Sequence, residues 1–444
     1  METGQRERDV KNTAAHQRWR PDREKRCEEG NVDDDGDRTE RTRSEEHRCS
    51  PEMETGQRTR CEEGSGLPKF VGVGILSVPY ALAEVGWSGL ILLLLMTVVC
   101  WYTGLLLSNC MNAHPFIRTY SDIGKFAFGY KGKVVVSLFL YLELYLVAIE
   151  FLVLEGDNLN KLFPNMSFKV GNLKIQGKCG FTLLAALVFL PTTWLNSLGL
   201  LAYISASGVL ASVILVLCVL WVGAADGVGF HERGKFLKWS GIPTALSFYA
   251  FCYCGHVIFP TLFASMRDKR QFSKVLVSCF VLCTVNYASM AIIGYLMYGD
   301  TVKSQVTLNL PIRKVSSKIA IYTTMINPST KYAIMISPIA MAIEGRFQHH
   351  KSKFISIFIR TLLVIRTVGV AISVPFFGYL ISLTGAFLSV TASLLLPCIC
   401  YLKISKRYCE FGLQWLVIIS ILVAGSLVAV LGTYASLREI IDHM

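Results

Sequence analysis

The stretch Val71-Gly72-Val73-Gly74-Ile75-Leu76-Ser77-Val78-Pro79-Tyr80 has a counterpart far down the chain, Cys252-Tyr253-Cys254-Gly255-His256-Val257-Ile258-Phe259-Pro260. Each contains a glycine, four residues and a proline: Gly74 to Pro79, and Gly255 to Pro260. Glycine loosens a helix and proline removes a backbone donor, so both segments are expected to unwind. At membrane depth, unwound backbone is tolerated only where protein or a cavity receives it. Gly and Pro are common in membrane helices generally. The weight therefore rests on the pairing, because matched breaks in two halves of a membrane chain point to a transporter's substrate site.

The surrounding composition is that of a membrane protein. Of 444 residues, 52% are hydrophobic and only 17% charged, and the two classes are segregated. Residues 1–66 hold no apolar run and carry 14 Lys and Arg against 18 Asp and Glu, leaving 30 and 14 for the remainder. The positive balance thus belongs to loops beside lipid headgroups. No soluble basic domain exists to bind nucleic acid. The first 66 residues read as a disordered, charged cytosolic tail. They contain short duplications, such as Met1-Glu2-Thr3-Gly4-Gln5-Arg6 repeated at Met53-Glu54-Thr55-Gly56-Gln57-Arg58. Residues 67–444 read as one polytopic domain.

That domain is a series of apolar runs of spanning length, near 70–86, 88–112, 134–156, 181–199, 200–223, 242–265, 275–298, 317–342, 355–379, 380–402 and 413–436. The expectation is an all-α membrane protein of about eleven helices. Basic residues cluster after the second run (Arg118, Lys125, Lys131, Lys133), the sixth (Arg267, Lys269, Arg270, Lys274), the eighth (Arg346, Lys351, Lys353) and the tenth (Lys403, Lys406, Arg407). With alternating spans these share one side, which the positive-inside rule makes cytosolic. The opposite loop at 157–180 contains Asn165-Met166-Ser167, a glycosylation sequon.

The fourteen cysteines lack zinc-ligand spacing, and those inside apolar runs, Cys100, Cys110, Cys218, Cys279 and Cys283 with the pairs Cys252/Cys254 and Cys398/Cys400, read as small packing residues. No metal or other cofactor is expected. Charges inside spans ask for a role. Glu143 and Glu150, seven residues apart, share a helix face ~10 Å apart along the axis. Glu143 reads as one half of an ion pair, for example with Lys331. Glu150 reads equally as an ion-pair member or as the carboxylate that takes up a coupling proton. Lys331, close to Pro328, either supplies the charge of a bound sodium or caps freed carbonyls. Thr323, Thr324 and Thr330 are on hand to repair the helix around that proline. His256 either senses protons or satisfies an unwound carbonyl.

The breaks carry their own chemistry. If the first helix restarts near Ile75, its amides present a partial positive charge suited to a carboxylate. The first half of the sixth span ends near Cys254, where free carbonyls suit an ammonium. A zwitterion answers both, and an amino acid is a zwitterion.

Several motifs carry a family resemblance. They are Gly72 to Leu82 with Gly86-Trp87, Tyr120-Ser121-Asp122-Ile123-Gly124, Ile149-Glu150-Phe151 with Leu154 to Leu159, Tyr249 to Tyr253 with Gly255-His256, Thr307 to Pro311, Asn327-Pro328 with Thr330 to Ala333, and Ser373 to Gly378. In this order they resemble the amino acid/auxin permease family, most of all its plant vacuolar amino acid transporters and the vesicular inhibitory amino acid transporter. The resemblance implies an inverted five-plus-five repeat like that of the bacterial leucine transporter, with one extra helix. It also implies proton-coupled amino acid transport at a vacuolar or other endomembrane, with the plasma membrane as the alternative. Substrate contacts are expected from Gly72, Val73, Gly74, Ile75 and Ser77, and from Phe251, Cys252, Tyr253, Gly255 and His256. The third and eighth spans complete the pocket, with Thr323 on the eighth. Glu150, Lys331 and His256 are the coupling or gating candidates.

Two departures weigh against full transport. The apolar stretch Phe70 to Ala83 extends only ~21 Å as helix against a hydrocarbon core of ~30 Å, so the cytosolic half of the first span is short. Arg366 sits ~18 Å into the ninth run, where insertion of an arginine costs ~2.5–3.5 kcal/mol. The rival reading is a sensor, or a degenerate copy, that binds an amino acid on the same fold without moving it. An enzyme is not expected, since no set of polar catalytic groups converges.

Overall fold

The computed structural model describes residues 73–170, 173–194, 201–345, 353–374, 377–405 and 412–443. The charged tail, its duplications and Gly72 lie outside the described residues.

Among them, eleven spans follow one another. Span one is a 3-10 turn, Val73–Leu76, followed by an α-helix, Val78–Val85. Span two is Gly89–Asn112, and span three lies within Tyr120–Leu162. Spans four and five are Gly177–Trp194 and Leu201–Ala224. Span six is split into Ile242–Cys252 and Phe259–Ser265. Spans seven, eight and nine are Phe272–Tyr298, Val315–Glu344 and Lys353–Ser373. Span ten runs Phe377–Ser405 and span eleven Leu413–His443. A short antiparallel hairpin, Phe168–Val170 with Leu173–Ile175, joins spans three and four. The all-α membrane architecture read from the sequence is the one observed, in two halves of five that each open with a broken helix.

Seven of these helices are long and apolar enough by themselves to cross a membrane. Spans one and six are interrupted, and span eight carries Lys318, Lys331 and a proline at 328 and 338.

Span three is longer than the apolar run 134–156 suggested. Its helix starts with a capping box, in which Thr119 and Asp122 exchange side-chain and backbone hydrogen bonds. It then kinks at Gly129, whose φ of 68° only glycine adopts freely. The segment before the kink is tied to span ten by the Tyr120 hydroxyl, which donates to the Ala392 carbonyl at 2.6 Å.

Loops at one end of the bundle bond to one another. The Trp87 and Ser88 amides donate to the carbonyls of Lys235 and Phe236. The Lys238 ammonium bridges the Ala83 carbonyl and Asp300, each at 2.7 Å. Gln305 reaches Asp157 at 2.8 Å. The connections following spans one, five and seven therefore meet the end of span three at one end of the bundle, as strict alternation requires.

Glycines set the closest helix contacts. A Cβ on Gly385 of span ten would strike the Ser247 carbonyl oxygen of span six, and one on Gly432 of span eleven would lie 2.8 Å from Ala386. Spans six and ten thus touch backbone to backbone at Gly385.

Spans four, eight and nine are joined by Arg360, only 3% exposed. Its guanidinium donates to Glu344 at 3.1 Å and to the Thr193 carbonyl at 2.7 Å. Glu344 is the more accessible partner, with 25% of its side chain exposed against 4% for Arg360. Removing the arginine leaves a carboxylate that water can reach, whereas removing the carboxylate strands a buried cation. Glu344→Gln is therefore expected to destabilise by ~3 kcal/mol and Arg360→Met by clearly less. Melting of the purified variants in detergent measures the order, and a larger loss for Arg360→Met would overturn it.

Candidate functional site

The two breaks meet. In span one, Gly74, Ile75 and Leu76 form the 3-10 turn, and the Ser77 amide donates to the Gly74 carbonyl at 3.0 Å. The α-helix restarts at Val78 with Pro79 in its first turn, three residues later than the restart near Ile75 expected from sequence. Proline fits there because the first amides of a helix have no intrahelical partner. Ser77 precedes the restart, wholly buried, with a hydroxyl that has no partner.

In span six the first helix ends at Cys252, not Cys254, and residues 253–258 form turns before Phe259 and Pro260 restart it. The Cys252 carbonyl accepts from the Tyr287 hydroxyl of span seven at 3.2 Å. A Cβ on Gly74 would lie 2.8 Å from Cys252 Sγ and 3.2 Å from its Cα. The small residue is needed because one broken backbone lies directly on the other.

The other predicted residues disperse around this contact. Val73 and Ile75 are buried in the core. Phe251 turns toward Gly385 of span ten. Gly255 sits buried in the turn. Tyr253 leaves the centre for span seven, where its hydroxyl pairs with Thr284 at 2.8 Å and its ring stacks on Phe280. His256 turns to span two, with Nε2 2.9 Å from Thr103 Oγ1 and 3.1 Å from the Cys100 carbonyl. Thr323 is buried and its hydroxyl donates to the Ile319 carbonyl of its own helix. Lys331 points at span five, where a Cβ on Gly208 would meet Lys331 Nζ at 3.4 Å and Asn327 Oδ1 at 2.6 Å. Asn165 is exposed in the loop before the hairpin. Arg366 is exposed as well, near Tyr145.

The two glutamates of span three engage hydroxyls. Ser389 donates to Glu143 at 2.8 Å and Thr384 donates to Glu150 at 2.8 Å. Both donors belong to a π-helical stretch of span ten, Thr384–Ser389, a geometry that recurs at functional sites. The second carboxylate oxygen of each glutamate is buried without a partner.

Other polar residues escaped sequence reasoning. Glu155 accepts from Ser329 of span eight at 3.5 Å. Asn158 links the hydroxyls of Thr324 and Thr307. Asp157 holds Lys178 at 2.5 Å and Gln305 at 2.8 Å. All three acids and amides sit in the motif Leu154 to Leu159, which was legible as a motif but silent about partners. Asp157 and Gln305 also line a cavity of about 350 Å³, floored by Tyr80 and Phe248, whose rings meet edge-on at 5.4 Å.

Comparison with known proteins bears on the family and the fold. A family profile described as "Transmembrane amino acid transporter protein" matches residues 67–438. The chain belongs to that family. "Amino acid transporter AVT1I" of Arabidopsis thaliana is 52% identical over 382 residues, covering 86% of this chain and 94% of the relative. "Amino acid transporter AVT1J" from the same organism is 49% identical over 378 residues, covering 84% and 89%. Among solved structures, that of MhsT in complex with L-phenylalanine is similar with a TM-score of 0.52 and 13% identity, covering 82% of this chain and 97% of that one. At that identity the likeness speaks for the fold alone.

The contact between the breaks makes a direct prediction. Gly74→Ala forces a methyl against Cys252 Sγ and is expected to destabilise by ~1–3 kcal/mol. Cys252→Ala in the same chain removes the sulfur and should recover at least half of the loss. Additive losses in the double variant would show that the breaks are not in contact.

Proposed function

We infer that this chain moves amino acids across an endomembrane, the vacuolar membrane first, with protons as the coupling ion. The observation that carries this reading is the contact of Gly74 with Cys252, two broken backbones meeting at membrane depth. Beside it lie a helix N-terminus at Val78 with the unpartnered Ser77 hydroxyl, suited to a carboxylate, and the end of a helix at Cys252, suited to an ammonium. The family profile and the amino acid transporter relatives support the substrate class.

Glu150 is the coupling carboxylate in this reading. Wholly buried, with one hydroxyl donor and one oxygen left bare, it is tolerable in that setting as a neutral acid and costly as an anion. His256 then serves as a clamp that holds the break against span two, and Lys331 as a fixed charge against span five. Residues 1–66 are the cytosolic tail and residues 67–444 the transport domain. Asn165 lies on the lumenal side and is glycosylated.

Proteoliposomes containing the full chain test the reading. An imposed pH gradient should drive accumulation of labelled amino acid, and a protonophore should collapse it. Glu150→Gln should lose that accumulation by about tenfold or more while keeping exchange of labelled for unlabelled amino acid. Full gradient-driven uptake by the variant would remove Glu150 from the mechanism. For orientation, the glycosidase-sensitive mass of the chain should drop in Asn165→Gln. A sequon that is never glycosylated in a secretory-pathway host counts against the assigned side.

The sensor reading keeps one observation in its favour, the short apolar stretch from Phe70. Joining a full half-helix ahead of Gly72 separates the two. Equal uptake with and without the graft makes the short segment harmless; uptake only with the graft favours a chain that binds without carrying.

A further inference from the structure

Asp157, Glu150 and Glu143 are spaced by seven residues and therefore share one face of span three. Each step is ~10 Å along the axis. Asp157 lines the cavity and is held there by Lys178 and Gln305. Glu150 lies deeper against Thr384, and Glu143 deeper still against Ser389. Ser389 of span ten and Cys254 in the break of span six lie against Glu143, and Glu150 on its own helix and Tyr120 from the segment before the kink are within electrostatic reach of it. The stripe thus begins at an open cavity and ends at the broken backbone of span six. Glu150, 0% exposed, keeps one oxygen without a partner, and the second oxygen of Glu143, 3% exposed, has nothing nearer than the weak donor Cys254. A structural ion pair or a fully satisfied network would leave no such oxygens. Carboxylates in series inside a membrane protein are how protons are passed along.

We propose that the seam between spans three and ten is the proton route from the cavity to the substrate break, with Asp157 at its mouth, Glu150 midway and Glu143 at its end. This rests on the proton-coupled reading above. Thr384 and Ser389 are positioning residues. Each hydroxyl fixes one carboxylate oxygen, which leaves the other to accept a proton from the cavity side and release it toward the break. No covalent bond changes, and one proton enters for each that leaves.

The experiment uses proteoliposomes of the full chain loaded with a pH-sensitive dye. The probe is a uniformly labelled mixture of the twenty protein amino acids. For each variant, gradient-driven accumulation is divided by amino acid exchange at equal pH. Glu143→Gln and Glu150→Gln should each lower this ratio about tenfold or more, with exchange retained. Asp157→Asn should slow proton entry and shift the pH dependence of uptake without abolishing it. Thr384→Val should lower the ratio while Thr384→Ser restores it, and a purely structural hydroxyl would instead change both activities together. A native ratio in Glu143→Gln overturns the route and leaves the coupling by Glu150 standing. Loss of exchange together with accumulation in both Thr384 variants assigns the seam to folding and overturns it as well. Absence of gradient-driven uptake in the unaltered chain sinks the proton-coupled reading itself, and the route with it.

Discussion

Every feature of this fold answers to one constraint: broken backbone in hydrocarbon must be received by protein. The chain meets it by laying one break on the other. Gly74 has no side chain, so span one can approach the end of the first half of span six at Cys252. Tyr287, Thr284, Thr103 and the Cys100 carbonyl then take up the polar groups that the second break exposes. Most aromatic and imidazole side chains in the break are spent on this work. That is why Tyr253 and His256 face away from the centre, although sequence reasoning placed them around a substrate.

Span three is the element that the remaining polar contacts share. One face meets span ten through Glu143 and Glu150, and another meets span eight through Glu155 and Asn158. The partners on both sides are hydroxyls and not cations. A neutral hydrogen bond contributes ~0.5–1.5 kcal/mol, whereas breaking a buried ion pair costs ~3–5 kcal/mol. A seam made of hydroxyl contacts opens at lower cost than one made of ion pairs. An ionic contact with a buried arginine, Arg360 with Glu344, joins spans four, eight and nine, away from the breaks.

Much of this was legible from residues alone. Spanning length and the Gly-to-Pro spacing gave eleven spans and two interruptions, because both are local properties of the chain. The heptad of Glu143 and Glu150 put them on one face. What remained hidden depends on partners distant in sequence. The hydroxyls of Thr384 and Ser389 are unremarkable residues in an apolar run, and nothing local announces that span ten is π-helical there. The ion pair expected for Glu143 was the reasonable default for a buried carboxylate, and Lys331 was a cation at the right depth, but it points at Gly208 of span five. Arg360 drew no reading from sequence, because its partners Glu344 and the Thr193 carbonyl lie on other spans. The first helix restarts three residues later than Ile75 because a 3-10 turn occupies Val73–Leu76 and Pro79 is tolerated in the first turn of the helix that follows.

Span ten gains a particular importance from its two faces. On one side Gly385 sits against the Ser247 carbonyl and Phe251, and Ser382 bonds Ser436 of span eleven at 2.7 Å. That side has no slack, since any side chain at Gly385 would collide with backbone. On the other side the same turn of helix carries Thr384 and Ser389 toward the glutamates of span three. A wide π-helical turn lets residues so close in sequence serve both faces. Movement of the first half of span six therefore cannot leave span ten unaffected, because they share a backbone contact. A shift in span ten is a shift of the donors that hold Glu143 and Glu150. The break of span six and the buried carboxylates are thereby two ends of one short mechanical path, built from a glycine on one side of a helix and two hydroxyls on the other.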